Sequence, residues 1–231
     1  MYLPEAFQKK MKAILGEEYD DFLAGFEKPR HYGLRVNIAK ITVEEFKELV
    51  PFHLTQIPWV ENGFYYEEED APTRHPYYYA GLYYIQEPSA MTTASRLPVG
   101  PGERVLDLCA APGGKSIHLG DKMEGFGTVD ARDVSQYKVE LINENIHRTG
   151  AINVQAHVQD ATVFDVESEC KADIVLADVP CSGYGVIGKK PEIKYRSTVQ
   201  KEEELVILQR NILDKAAEYV KPRGVLIFST C

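Results

Sequence analysis

Residues 104–123, RVLDLCAAPGGKSIHLGDKM, decide the fold class. The stretch begins with an apolar run, Val105–Leu108, which predicts a buried strand, and it continues through a glycine-containing loop into the start of a helix. Because the loop residues lack bulky side chains, a nucleotide-like ligand can approach the backbone, and the helix N-terminus offers unpaired N–H groups. The stretch therefore predicts the first strand–loop–helix unit of a ligand-binding α/β sheet.

Four further strand patterns follow this unit, with helical patterns and short connections between them. The predicted strands are 125–133 (GFGTVDARD), 152–160 (INVQAHVQD), 172–180 (ADIVLADVP) and 224–231 (GVLIFSTC), and the longer predicted helices are 134–150 and 202–220. The run at 172–180 is nearly all apolar, as in parallel strands that are buried on both faces. A turn, KPRG, precedes the last strand. This alternation predicts a doubly wound α/β sheet.

The first 84 residues have a different texture. Two short helices are predicted within residues 4–28, an alternating strand at 33–40, and a helix that begins after Thr42, because TVEE has the spacing of a capping box. A stretch rich in proline, tyrosine and acidic residues follows. We expect residues 1–84 to form a small N-terminal α+β domain with its linker, and residues 85–231 to form the sheet domain.

Composition excludes several classes of protein. The chain has 231 residues, a formal net charge of −9 and 44% hydrophobic residues, which is ordinary for a soluble globular protein. No apolar run is long enough for a membrane span, and the N-terminus does not resemble a secretory signal. Four cysteines are too few for a disulfide scaffold, so a cytoplasmic protein is expected. The acidic balance argues mildly against a polyanionic partner.

Acidic residues end three of the predicted strands. Asp133 lies 20 residues after Gly113, the spacing at which a carboxylate accepts hydrogen bonds from a ribose, with Asp130 as a competitor. Asp160 and Asp178 end the next two strands. A purely structural alternative, without a ligand, is a glycine turn in which the aspartates cap helices. Three aspartates in register with one loop favour an adenosine-type cofactor instead. The loop lacks the GxGxxG spacing of a nicotinamide-dependent oxidoreductase.

Two cysteines follow the predicted fourth and fifth strands. Cys181 lies in DVPCSG (178–183) and Cys231 in FSTC (228–231), and both are expected to face the ligand crevice. The alternatives are a buried cysteine that acts as a small hydrophobe, or a zinc pair, for which no other cysteine or histidine pair has ligand spacing. A thiolate that adds to carbon 6 of cytosine makes carbon 5 nucleophilic enough to accept a methyl group. In such a site Asp178 could hold the base and Lys115 could bias the site electrostatically. The residues alone do not decide which cysteine is the nucleophile.

Four motifs resemble those of the RsmB/RsmF (Nop/Sun) family of RNA cytosine-5 methyltransferases, closest to the RsmF type, which acts on 16S rRNA. They are QEPSAM (86–91), DLCAAPGGK (107–115), DVPCSG (178–183) and STC (229–231), and LRVN (34–37) also fits. The resemblance implies a Rossmann-like class I methyltransferase sheet and S-adenosyl-L-methionine as cofactor. It also implies RNA as partner, in the form of 16S rRNA or the small ribosomal subunit. We expect a monomer that needs no metal and no membrane.

The resemblance also assigns roles to individual residues. The cofactor loop would comprise Cys109, Ala110, Ala111, Pro112, Gly113, Gly114 and Lys115. Asp133 would bind the ribose, Asp160 the adenine end, and Asp178 would lie between cofactor and base. Cys231 would be the nucleophile, and Cys181 would assist breakdown of the covalent adduct.

Three departures from the family pattern stand out. Arg223 replaces one of two glycines in the turn before the fifth strand, and a tryptophan expected after Tyr195 and Arg196 is missing. Family members continue beyond STC, whereas this sequence stops at Cys231. The expectation is therefore a chain without the last strands, and the alternative function is a catalytically impaired fragment that only binds cofactor or RNA.

A basic segment directly follows the DVPCSG motif. Residues 188–196, GKKPEIKYR, carry Lys189, Lys190, Lys194 and Arg196 against one glutamate, a local charge of +3. Such side chains can neutralise RNA phosphates, although a solvated loop is the plain alternative. Arg35 is a further candidate phosphate contact, or else a charge on a strand face.

Overall fold

The computed structural model describes residues 2–196 and 198–230. Contacts divide the chain into two compact units. The larger unit comprises residues 31–179 and 210–229, and the smaller comprises the described residues within 2–30, 180–209 and 230. The contacts group residues 2–30 with residues 180–209 and place residues 31–84 in the larger unit. The domain division at residue 84 stays a prediction.

The chain begins with two helices that belong to the smaller unit. They are α1 (Glu5–Leu15) and α2 (Tyr19–Gly25), with a short 3₁₀ turn between them. Phe7 and Met11, one helical turn apart on α1, are both buried, which places the apolar face of this helix in the core of the smaller unit. The two predicted helices are thus present.

An antiparallel sheet opens the larger unit. Its strands are β1 (Tyr32–Val36), β2 (Thr55–Gln56), β3 (Gly63–Tyr66) and β4 (Tyr83–Ile85), in the order β2-β3-β1-β4. Three helices accompany it: α3 (Val43–Leu49), α4 (Pro76–Tyr79) and α5 (Pro88–Arg96). Thr42 and Glu45 form the predicted capping box at the start of α3. The strand predicted at 33–40 ends earlier, at Val36, because Asn37 accepts a backbone bond from Lys40 in a turn.

A five-stranded parallel sheet forms the rest of the larger unit. Its strands are β5 (Arg104–Asp107), β6 (Thr128–Asp133), β7 (Val154–Val158), β8 (Ala172–Asp178) and β9 (Val220–Ser229). Helices α6 (Gly114–Lys122) and α7 (Gln136–Thr149) also belong to the larger unit, whereas α8 (Ile193–Arg196) belongs to the smaller unit, and α9 (Val199–Tyr219) begins in the smaller unit and ends in the larger one. The order β7-β6-β5-β8-β9 confirms the predicted Rossmann-like α/β sheet. The strand order runs outward in one direction from β5 to β7 and in the other direction from β8 to β9. Ligands bind α/β sheets at the switch point between these halves, here between β5 and β8.

The turn predicted at KPRG is wrong, because β9 already begins at Val220 and continues through these residues. Between Ala172 and Ile174, β8 advances by two residues while β9 advances from Val220 to Val225. The extra residues form a bulge, in which Arg223 has a φ of 71°. This left-handed conformation is one that glycine adopts without strain.

Among the helices within residues 2–196 and 198–230, none is both long and apolar enough to cross a bilayer.

Candidate active site

A cavity of about 220 Å³ lies at the carboxyl ends of β5 and β8. Two segments supply most of its wall, the loop between β5 and α6 and the segment from β4 into α5. The lining residues are Tyr84, Ile85, Gln86, Glu87, Ala90, Asp107, Cys109, Ala110, Ala111, Pro112, Gly114, Lys115 and Asp178. The structure therefore brings together most of the residues predicted for the cofactor loop, together with Asp178.

Two glycines shape this loop. Gly113 has a φ of 101° and precedes α6, so a side chain there would be strained. A Cβ on Gly114 would lie 2.9 Å from Cε1 of Tyr84, closer than van der Waals contact allows. The first turn of α6 can approach Tyr84 only because this position lacks a side chain.

Lys115 and Asp178 form an ion pair at this cavity. Lys115 Nζ lies 2.6 Å from Asp178 Oδ2, and Ser229 Oγ donates a hydrogen bond to Asp178 Oδ1 over 2.5 Å. The side chains of Lys115 and Asp178 are 19% and 29% exposed, so the pair is accessible from the cavity but partly shielded from water. Both carboxylate oxygens have donors, which fixes the orientation of this carboxylate.

Asp107 lies at the base of the cavity and is almost fully buried. Its Oδ2 accepts a hydrogen bond from Ser116 Oγ over 2.6 Å, while its Oδ1 is buried without a hydrogen-bond partner among the described residues. Burial raises the pKa of Asp107 to about 7, although the Ser116 hydrogen bond and the Lys115 charge act in the opposite direction.

Cys109 is unsuited to act as a nucleophile. Burial, and after it the nearby carboxylates of Asp107 and Asp133, raise the pKa of this thiol to about 12. The thiol is therefore protonated at neutral pH, and Cys109 serves as a wall residue.

Asp133, at the end of β6, is tied to the cavity loop. Its Oδ2 accepts a hydrogen bond from the Ala111 amide over 3.0 Å, and its Oδ1 accepts one from Lys138 Nζ over 2.9 Å. The competing Asp130 is instead held by Arg132, whose guanidinium lies 2.7 Å from Asp130 Oδ2. The structure thus favours Asp133 over Asp130 as the carboxylate next to the loop.

Asp160 lies outside the set of residues that line this cavity. Its side chain is exposed, and Oδ1 accepts hydrogen bonds from the amide and hydroxyl of Thr162 over 2.8 and 2.7 Å. Its role toward the adenine end of a cofactor stays a prediction.

The smaller unit has a cavity of its own, of about 450 Å³. Its wall includes a thiol, two lysines and two glutamates. The lining residues are Cys181, Ser182, Gly183, Val186, Lys190, Glu192, Ile193, Lys201, Glu202 and Leu205. Cys181 thus faces a space large enough for a small ligand. Cys231, the predicted nucleophile, lies outside the described residues.

The predicted basic residues fall into different surroundings. Lys189 and Lys190 are exposed, and Lys190 lines the cavity beside Cys181. Lys194 instead donates a hydrogen bond from Nζ to the Tyr2 carbonyl over 2.5 Å, which engages it in packing of the N-terminus. The side chain of Arg196 lies outside what the structure describes.

The predicted phosphate contact at Arg35 is wrong. Arg35 is 1% exposed and forms a buried ion pair with Asp121 on α6. The Asp121 side chain is buried as well, so the guanidinium of Arg35 is enclosed by the protein and does not face solvent. An RNA phosphate cannot reach a guanidinium in this position.

The resemblance identifies QEPSAM (86–91) as a family motif but assigns no role to its individual residues. Gln86, Glu87 and Ala90 line the cavity, and Glu87 Oε2 accepts a hydrogen bond from the Ser89 amide over 2.9 Å at the start of α5. The motif therefore forms part of the wall of the same cavity as the glycine loop, and this placement depends on contacts between segments that are distant in the sequence.

Comparisons with known proteins cover nearly the whole chain. Residues 94–231 match the family model described as 16S rRNA methyltransferase RsmB/F, and residues 3–88 match the model of the N-terminal domain of 16S rRNA methyltransferase RsmF. The ribosomal RNA small subunit methyltransferase F of Escherichia coli is 34% identical over 242 residues, and that of Citrobacter koseri is equally similar. The alignments cover 100% of this chain and 50% of each relative, so the chain spans about half the length of these curated relatives.

Solved structures share the fold. The crystal structure of the protein PH0851 superimposes with a TM-score of 0.92 at 33% identity, over 99% of this chain and 53% of the other. A methyltransferase homolog from Pyrococcus horikoshii gives a TM-score of 0.80 at 29% identity, over 99% of this chain and 78% of the other.

Proposed function

Because this chain belongs to the RsmB/F family of 16S rRNA methyltransferases, we propose that it methylates carbon 5 of a cytosine in RNA. The proposed methyl donor is S-adenosyl-L-methionine, and the proposed substrate is 16S rRNA, alone or in the small ribosomal subunit. The observation that carries the proposal is the Lys115–Asp178 ion pair beside the glycine loop, at the switch point of the parallel sheet.

The cavity in the larger unit suits a cofactor of this kind. The loop offers backbone without bulky side chains, and Gly113 precedes α6 as an N-cap without a side chain, so the first N–H groups of α6 are available for a ligand. The buried Oδ1 of Asp107 is an acceptor without a partner among the described residues, which suits a donor on the ligand. Asp133, held against the loop by the Ala111 amide, is the proposed ribose contact. The chemistry supplied by bound S-adenosyl-L-methionine is an electrophilic methyl group on a sulfonium.

The two cysteines carry the proposed chemistry on the base. The thiolate of Cys231 adds to carbon 6 of the cytosine, and the resulting enamine makes carbon 5 nucleophilic enough to accept the methyl group. The methyl transfer would leave S-adenosylhomocysteine. We propose that the Cys181 thiolate takes the proton from carbon 5, and that the electron pair of this C–H bond re-forms the C5–C6 double bond as the Cys231 thiolate leaves carbon 6, which gives 5-methylcytosine. Asp178, already oriented by Lys115 and Ser229, is proposed to hold the polar edge of the base.

A cytosine inside a structured RNA must leave its stack to reach a cysteine. Lys189 and Lys190, the exposed basic residues after the DVPCSG motif, are the proposed phosphate contacts for the extruded nucleotide. We place the enzyme in the cytoplasm, where ribosomal subunits are assembled, as a monomer without a resident metal.

Bisulfite sequencing of 16S rRNA tests the proposal. After incubation with the protein and S-adenosyl-L-methionine, we expect one cytosine of the rRNA to become resistant to conversion. Cys231→Ser should abolish the signal, whereas Cys170→Ser, a matched change at an exposed cysteine, should keep it. Complete conversion of every cytosine, with naked rRNA and with small subunits alike, would contradict the proposal and favour a chain that only binds.

A further inference from the structure

The N-terminal helix α1 packs against the segment that follows Cys181. Phe7 and Met11 of α1 and Ile187 of this segment are buried in one apolar cluster. The ring of Phe7 meets the ring of Tyr184 edge-on, with 6.0 Å between their centroids. The first helix and the loop after DVPCSG therefore share one core, although about 175 residues separate them in the sequence.

A polar cluster joins the same elements. Glu202 of α9 forms an ion pair with Lys10 of α1, and its Oε1 also accepts a hydrogen bond from the Tyr184 hydroxyl over 2.7 Å. The Lys10 ammonium lies 5.4 Å from the centroid of the Tyr184 ring. Burial opposes the charge on Lys10, but the hydrogen bonds to Glu202 and Tyr184 outweigh it and raise the pKa of Lys10. Lys10 thus stays a cation and holds Glu202.

In addition to its contacts with Lys10 and Tyr184, Glu202 lines the cavity that contains Cys181. Lys190, Lys201 and Glu192 line the same cavity, so with Glu202 its wall presents a thiol, two cations and two carboxylates. A change at α1 can therefore reach the cavity wall through Glu202, which contacts Lys10 and lines the cavity.

We propose that α1 positions the wall of the Cys181 cavity, with Lys10 and Phe7 as positioning residues that act through Glu202 and Tyr184. This inference rests on the proposed function, because it assigns the cavity to the extruded pyrimidine nucleotide. Lys190 and Lys201 are the groups that face its phosphate. Neither Lys10 nor Phe7 touches the substrate; their role is to keep Glu202 and the loop after Cys181 in place. The helix α1 therefore affects the binding of RNA and does not affect the binding of the cofactor.

A charge-exchange cycle tests the positioning role. Lys10→Glu and Glu202→Lys should each raise the KM for RNA about tenfold, and the double variant should recover most of the loss, because the ion pair is re-formed in reverse. The affinity for S-adenosylhomocysteine, measured by calorimetry, should stay within about twofold of the wild type. Lys9→Glu, a charge reversal at an exposed position of the same helix, is the matched control and should leave the KM unchanged.

A second readout does not depend on methylation. The rate at which iodoacetamide alkylates Cys181, followed by peptide mass spectrometry, should rise about tenfold in Lys10→Glu as the loop loosens, and should return in the double variant. Tyr184→Phe removes only the hydroxyl and should give a smaller rise of the same sign. Unchanged alkylation in all these variants, or a double variant no better than either single one, would overturn the inference. If the wild type methylates no RNA, the proposed function fails, and the alkylation rates still test whether α1 holds the loop.

Discussion

Lys115 Nζ lies 2.6 Å from Asp178 Oδ2, so the first turn of α6 and the end of β8 are joined by an ion pair across the switch point of the sheet. Ser229 at the end of β9 completes the arrangement through Asp178 Oδ1. Three elements of the sheet domain thus converge on one carboxylate. We regard this carboxylate as the link between the cofactor cavity and the base.

Removing the cation of this pair should weaken cofactor binding. In Lys115→Met, Asp178 keeps the hydrogen bond from Ser229 but loses its cation in a partly shielded site, and the carboxylate can turn away from the cavity. We expect the dissociation constant for S-adenosylhomocysteine to rise at least about tenfold, as measured by calorimetry. Lys138→Met removes a more exposed lysine that forms an ion pair with Asp133, and it should raise this dissociation constant less. Equal effects of the two changes would contradict the special role of Lys115.

Gly114→Ala should damage the cavity through a steric effect. The new methyl group would lie 2.9 Å from Cε1 of the buried Tyr84, and either the loop or the ring must move. We expect a loss of S-adenosylhomocysteine affinity of about tenfold or more, together with a destabilisation of about 1–3 kcal/mol in denaturant unfolding. Gly100→Ala, where a Cβ meets nothing within 4 Å, is the control and should change neither quantity.

Asp107 should make stability fall as the pH rises from about 4 to about 7. Its pKa is raised by burial from 3.8 to about 7, so the folded state binds a proton that the unfolded state has already lost between these values. The stabilising contribution is full below pH 4 and is lost as the pH rises toward 7, with a slope of at most about 1.4 kcal/mol per pH unit. Denaturant unfolding of Asp107→Asn, compared with the wild type at several pH values, should lack this slope. Parallel pH curves for the two proteins would show that Asp107 titrates normally.

Arg35 should matter for stability and not for RNA affinity. Arg35→Met leaves the buried carboxylate of Asp121 without its cation, and we expect unfolding to become easier by about 3–5 kcal/mol. The double variant Arg35→Met with Asp121→Leu should recover much of this loss, because apolar side chains replace the pair. At a temperature where the variants remain folded, filter binding should give wild-type RNA affinity. A loss of RNA affinity in the folded double variant would restore Arg35 as an RNA contact.

Features that depend on local patterns could be predicted from the sequence. The parallel strands follow from apolar runs such as Val105–Leu108, and the start of α3 follows from the spacing of Thr42 and Glu45. The position of Asp133 against the loop follows from strand length and topology, since it ends the strand next to β5.

Features that depend on distant contacts could not be predicted. Nothing near Arg35 in sequence reveals Asp121, which lies 86 residues away, and Lys10 meets Glu202 across 192 residues. The bulge at Arg223 depends on how β9 pairs with β8. The residues KPRG by themselves do not indicate this pairing. In each case the side-chain partner is set by tertiary packing, on which local periodicity carries no information.

The central claim is a covalent mechanism with Cys231 as the nucleophile and Cys181 as the residue that promotes release. Denaturing gel electrophoresis with labelled 16S rRNA and S-adenosyl-L-methionine tests it most directly, because it retains only covalent protein–RNA complexes. We expect Cys181→Ala to accumulate such a complex, and we expect the addition of Cys231→Ser to this variant to abolish it. A complex that persists without Cys231, or one that forms in Cys231→Ser and disappears in Cys181→Ala, would show that Cys231 is not the nucleophile.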